Sequence, residues 1–110
     1  MQVLRNISDK NNISLDLACY FVKPEYTTDN NGNQVQEDIP LRMAFCAELP
    51  ISSNEFYKAG KAGIKPECLL LINTEEYCGE KSVVYNEISY SIYRTYPRSD
   101  GYMELYCKED

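Results

Sequence analysis

The chain contains no histidine and no tryptophan. Without imidazole there can be no Ser-His-Asp triad, no Cys-His dyad and no histidine-bearing metal site, and no side chain has an ordinary pKa near neutrality. Glycine and proline are sparse, five each in 110 residues, which excludes collagen-like and low-complexity architectures. Close cysteine pairs are also missing: Cys19, Cys46, Cys68, Cys78 and Cys107 form no CxxC, and their odd number does not fit a disulfide framework. The first residues, Met1 to Asp9, lack the apolar core of a secretory signal. Apolar runs fall far short of the roughly 20 residues a membrane span needs. Basic residues are outnumbered, 11 Lys+Arg against 17 Asp+Glu, for a net charge of −6. Such a surface repels phosphate backbones unless the fold gathers its cations into one patch.

What remains is a composition suited to one small domain spanning 1–110, 44% hydrophobic and 25% charged. A chain of this length buries roughly two-thirds of its extended surface, enough to fold alone. Four of the five cysteines lie in apolar runs, where a reduced thiol behaves as a small hydrophobe. The reducing cytoplasm is therefore the expected place of synthesis.

Period-two alternation dominates the pattern. Residues 1–12 read as an irregular polar arm. Ile13 to Lys23 begins with Ile13, Leu15 and Leu17 on one face and Ser14, Asp16 and Ala18 on the other, predicting a strand that Pro24 ends. Thr27 to Asn33 contains Asn31-Gly32, the signal of a tight hairpin with two successive positive-φ residues. The return comes in two predicted pieces, Gln34–Gln36 and Leu41–Leu49. Asp38-Ile39-Pro40 between them marks an edge, a bulge or a loop. These complete the first β half, 13–49.

Residues 50–66 differ in kind. Ser52 followed three residues later by Glu55 has capping-box spacing, and Phe56, Ala59 and Gly60 share a helical face. Gly60 and Gly63 then stop a helix of two or three turns. The second β half, 67–108, predicts strands at Cys68–Asn73, Ser82–Tyr85, Ile88–Tyr96 and Tyr102–Lys108. Asn86-Glu87 is a two-residue connection, and Pro97 to Gly101 a loop. The fold class is mainly β: a small antiparallel barrel or sandwich of about six strands with one short helix or long loop in the middle.

The search for chemistry finds little. Glu75-Glu76, Glu109-Asp110 and Asp29 lie in turns or at the terminus, with no sign of the apolar pocket a general acid needs. Gly60-x-x-Gly63 fits neither a phosphate loop nor a dinucleotide fingerprint, and Asp29 to Gly32 lacks the spacing of a calcium loop. No catalytic residue, cofactor or metal is expected, and the chain reads as a non-enzyme. The ten tyrosines suit half-exposed strands and protein interfaces. They would also suit a single-strand-binding barrel, but the only close basic pair in that region is Arg94 and Arg98.

The order of segments resembles the head-tail joining proteins of long-tailed bacteriophages, also called head-tail adaptor, head-closure or stopper proteins. The first half carries Thr28-Asp-Asn-Asn-Gly-Asn33, Ala47-Glu48 and Pro50-Ile-Ser-Ser-Asn-Glu55-Phe-Tyr-Lys-Ala59. The second half is similar to versions from phages and prophages of Gram-positive bacteria: Gly63 to Pro66, Glu76-Tyr77-x-Gly-Glu80, Val84-Tyr85-Asn-Glu, Tyr90 to Tyr96 and Glu104-Leu-Tyr106. The likeness covers roughly 13–108 and departs at Glu87, where the family more often has glycine.

The resemblance implies a barrel subunit that forms a ring of about twelve copies beneath the portal, closes the DNA channel and docks the tail. Its partners would be the portal or adaptor protein, a tail protein and itself. Genomic DNA would be enclosed rather than specifically bound, and no membrane is involved. The subunit would be made in the host cytoplasm and end at the head-tail interface of the virion. Residues 50–66 are the candidate closing segment, with Glu55, Phe56 and Tyr57 as contact side chains, Ala59 permitting close approach, and Gly60 and Gly63 permitting rearrangement. The alternative is a helix that plugs one end of the barrel and buries Phe56. A second candidate surface is the strand carrying Arg94 and Tyr96, with Arg94 available to a neighbour's carboxylate. Other readings are a tail-completion protein or another phage β-module.

Overall fold

A computed structural model describes residues 13–110; the predicted amino-terminal arm, 1–12, lies outside the described residues. The elements are β1 (Leu17–Thr28), β2 (Gln34–Leu49), α1 (Ser53–Lys61), β3 (Cys68–Asn73), a 3-10 turn (Thr74–Glu76), β4 (Ser82–Tyr85), β5 (Ile88–Pro97) and β6 (Tyr102–Glu109). The strands close into one antiparallel barrel in the order β1-β2-β3-β6-β5-β4. Closure joins the two β halves through β2–β3 and β1–β4 and removes the open edges that an isolated sheet would leave.

Alternation decides what faces inward. Cys19 and Phe21 from β1, Ala44 and Cys46 from β2, Cys68, Leu70 and Ile72 from β3, Val83, Tyr90, and Leu105 and Cys107 from β6 form one buried cluster. Four of its members are free thiols. Burial pushes Cys68 up to about 12, and Cys107 higher still, so these thiols stay protonated and pack as hydrophobes. Cys78 is the exposed exception. Tyr77 packs against this cluster, its ring 6.0 Å from that of Phe21. Beside it the Arg42 guanidinium sits 4.8 Å over Phe21 and pairs with Glu80.

Strands β3 to β6 fall within one residue of their predicted bounds, whereas β1 and β2 do not. β1 starts four residues later than expected and runs through Pro24 to Thr28; β2 is continuous through Pro40. The reason is local. β4 pairs with β1 only from Cys19 to Val22, so from Lys23 onward β1 has a free edge, where a missing N–H is tolerated. Pro40 sits at a bulge: Phe21 faces Arg42 and Val22 faces Pro40, leaving Leu41 as the extra residue. Beyond the bulge, Lys23–Thr28 and Gln34–Ile39 leave the barrel as a two-stranded ribbon, largely exposed on both faces.

Its turn is wider than a two-residue hairpin. The Asp29 carboxylate accepts hydrogen bonds from the backbone N–H groups of Asn31 (2.9 Å) and Asn33 (2.8 Å), and only Gly32 takes a positive φ, 83°. The tight two-residue turn is elsewhere, at Asn86 (φ 54°) and Glu87 (φ 66°), where Tyr85 pairs with Ile88.

Candidate functional site

α1 begins as its sequence predicts. The Ser52 hydroxyl accepts from the Glu55 backbone N–H at 3.1 Å and caps the helix. Its end is a Schellman motif: Ile64 N–H donates to Ala59 O at 2.9 Å and Gly63 N–H to Gly60 O at 3.0 Å, with Gly63 at φ 77°. Gly63 is thus spent on fixing the helix end, while Gly60 is ordinary helix.

The helix lies outside the barrel rather than in its mouth, and its buried residues are Glu55 and Ala59, one turn apart. Phe56 is 46% exposed, so the plug that buries Phe56 is not formed. Glu55 does not complete a capping box either. Its carboxylate accepts from the Tyr93 hydroxyl at 2.6 Å and from the Arg94 guanidinium at 2.5 Å, both on β5. Two successive strand residues normally point to opposite faces. Here a bulge between Ile92 and Arg94 turns Tyr93 and Arg94 to the same outer face. Arg94 also stacks 3.9 Å over Tyr106 of β6, whose hydroxyl donates to Glu104 at 2.6 Å.

Strand β3 is buried on both of its faces. Its inner residues belong to the core, but Leu69 and Leu71 face outward and are still buried. Leu69 pairs with Tyr106, and Leu71 with Ala47 of β2. α1 connects β2 to β3 and reaches Tyr93 and Arg94 on this outer side.

The electrostatics favour fastening over chemistry. Burial alone would raise the Glu55 carboxyl, but the hydrogen bonds from Tyr93 and Arg94 outweigh it and hold the group below the usual carboxylate range. Burial and the neighbouring carboxylates push the Tyr93 phenol up, and Tyr106 up to about 12. An ionised carboxylate is a poor proton donor, and a phenol of this kind is a poor nucleophile at neutral pH. The same residues, with Lys58, Ala59, Ala62 and Ile64, line an open groove of about 410 Å³. Of its polar walls, Glu55, Tyr93 and Arg94 are already bonded to one another.

The residues expected at an interface therefore separate into two sets. Glu55 and Ala59 face the chain's own barrel, and Arg94, expected to meet a neighbour's carboxylate, has Glu55 as its partner within the chain. Phe56, Tyr57 (64% exposed), Gly60, Gly63 and Tyr96 are at the surface. A second fastening was not read from sequence: Arg42 pairs with Glu80, whose other carboxylate oxygen accepts from Cys78 N–H at 3.0 Å. Among the described residues no group of three or more His, Cys, Asp or Glu side chains is placed to hold a metal. No described helix is long and apolar enough to cross a membrane. No protein-family model matches the chain, and no curated protein sequence matches it.

Proposed function

We propose that the chain is a non-enzymatic connector subunit of a long-tailed phage or prophage particle, a barrel that joins head to tail beneath the portal. The observation that carries this reading is the construction of α1. A nine-residue helix is fastened to a closed barrel by a buried carboxylate, while its other side leaves Phe56 and Tyr57 in solvent. Isolated helices of this length are marginal in water; this one is held rigidly and offers aromatic side chains outward, as a docking surface needs. The ordered resemblance over roughly 13–108 supplies the particular setting. The acidic balance, −6 per copy, adds that a ring of such subunits would present DNA with a repelling wall. Closure and docking would then depend on shape.

The test is partner choice. Purified chain is mixed separately with DNA-filled heads carrying their portal, with tail tubes and with single-stranded oligonucleotides, and each mixture is sedimented. The connector reading expects co-sedimentation with heads and better retention of DNA. It also expects loss of both on Phe56→Ala together with Tyr57→Ala, a variant that leaves Glu55 and Ala59 in place. Binding to tail tubes alone would favour a tail-completion role, and salt-sensitive oligonucleotide binding a nucleic-acid role; either overturns the connector.

A further inference from the structure

We infer that copies of this chain associate head to tail, the β1–β2 ribbon of one copy lying on the exposed side of α1 of the next. The contact deepens the connector reading and rests on it for its setting.

The ribbon has two unlike faces. Pro24, Tyr26 and Gln36 line a recess with Ser82, Ser91 and the carboxy-terminal residues, and Asp38 accepts from the Ser89 hydroxyl at 2.8 Å. That face is turned toward the body of its own subunit. By parity the other face carries Lys23, Glu25, Thr27, Val35, Glu37 and Ile39. On it Glu25 stands directly opposite Glu37 and also makes an exposed ion pair with Lys23 of the same face, 3.7 Å away, so Glu37 is the carboxylate of this face without a cation among the described residues. Val35 and Ile39 are exposed beside them. The ribbon therefore presents the unpaired Glu37, the exposed Lys23–Glu25 pair and two apolar side chains, without a partner strand beyond its own pair.

α1 offers the complement. Arg42, Arg94 and Arg98 are each taken up in ion pairs within the chain, whereas Lys58 and Lys61 make none among the described residues. Lys61 lies 4.6 Å over the Tyr57 ring, next to exposed Phe56. Cations and aromatics on the helix thus match carboxylates and aliphatics on the ribbon. Because the two surfaces differ and lie on different parts of the subunit, the contact is heterologous and can propagate from copy to copy.

The experiment mixes unlabelled and nitrogen-15-labelled chain, joins touching lysines and carboxylates with a zero-length carbodiimide, and reads the cross-links by mass spectrometry. Mixed-isotope links from Glu25 or Glu37 to Lys58 or Lys61 are expected; their absence, or intermolecular links confined to other surfaces, overturns the contact. Two folded variants follow, Glu25→Lys with Glu37→Lys, and Lys58→Glu with Lys61→Glu. Each alone should associate at least tenfold more weakly in sedimentation, and an equimolar mixture of the two should recover association; failure to recover overturns the proposal. Cross-links in a chain that ignores filled heads would remove the connector reading and leave this contact, and head binding without these links would do the reverse.

Discussion

The two ends of the β1–β2 ladder share the same two strands, yet they are separated by the bulge at Leu41 and live in different environments. From Cys19 to Val22, β1 lies between β2 and β4, and Cys19 and Phe21 are fully buried. From Lys23 to Thr28 it has β2 alone, and Tyr26 is 61% exposed. The difference comes from β4, which stops at Ser82 opposite Val22. A third strand turns a ribbon into a wall with an inside, and only an inside gives alternation an energetic meaning. The outer half is thereby left available for contacts with other molecules.

The largest expected effect tests that contrast directly. Phe21→Ala should destabilise the chain by about 3–5 kcal/mol in denaturant unfolding, through the cavity it leaves under Tyr77 and Arg42. Tyr26→Ala, an aromatic truncation in the same strand, should change stability by less than about 0.5 kcal/mol. Equal losses would mean that the ribbon is packed in a way the fold does not show.

Next comes the helix fastening. Glu55→Gln removes a charged acceptor bonded by Tyr93 and Arg94 and should cost about 2 kcal/mol. Its pH dependence has a definite sign. The folded carboxyl is held below its ordinary value, so its stabilisation is complete above the unfolded pKa of about 4.3 and disappears as pH falls through the depressed folded value. Glu80, lowered by Arg42 and backbone hydrogen bonds against the effect of burial, acts in the same direction. Unfolding midpoints measured from pH 7 down to pH 3 should therefore drop below about pH 4.5, less steeply in Glu55→Gln.

Smaller effects separate the two hairpin turns. Glu87→Gly relieves a left-handed backbone at a non-glycine residue and should stabilise by about 0.5–1 kcal/mol. Gly32→Ala imposes that strain on the ribbon turn, and its effect should be confined to amide exchange near Asp29–Asn33. The smallest is Glu37→Lys, which replaces the like-charge pair with Glu25 by an opposite one and leaves the Lys23–Glu25 pair in place. It should stabilise the free subunit by a few tenths of a kcal/mol while weakening association between copies.

How much of this is legible in the sequence follows the same division. β3 to β6 and the cap at Ser52 can be read because local rules and burial agree there. β1 is harder to read because Pro24 looks like a terminator, and only the absence of a third strand makes it acceptable. At Pro40 the sequence allows an edge, a bulge or a loop, and the chain takes the bulge, which joins the two expected pieces into one strand. Glu55 and Arg94 were both singled out, but for other partners. Nothing at their separation of 39 residues shows that they meet, since the bulge at Tyr93 that aims them together has no sequence signature. Only the small residue Ala59, one turn after Glu55, hinted at which side of α1 faces the barrel. The Arg42–Glu80 pair was invisible for the same reason of separation.

The central claim is that the barrel is scaffold while the ribbon and α1 are the working surfaces. Hydrogen exchange on the chain, free and bound to DNA-filled portal-bearing heads, tests it most directly. The account predicts new protection in Lys23–Ile39 and along α1, with β3 and β6 unchanged. Protection confined to other parts of the barrel, with ribbon and helix exchanging as they do in the free chain, would contradict it.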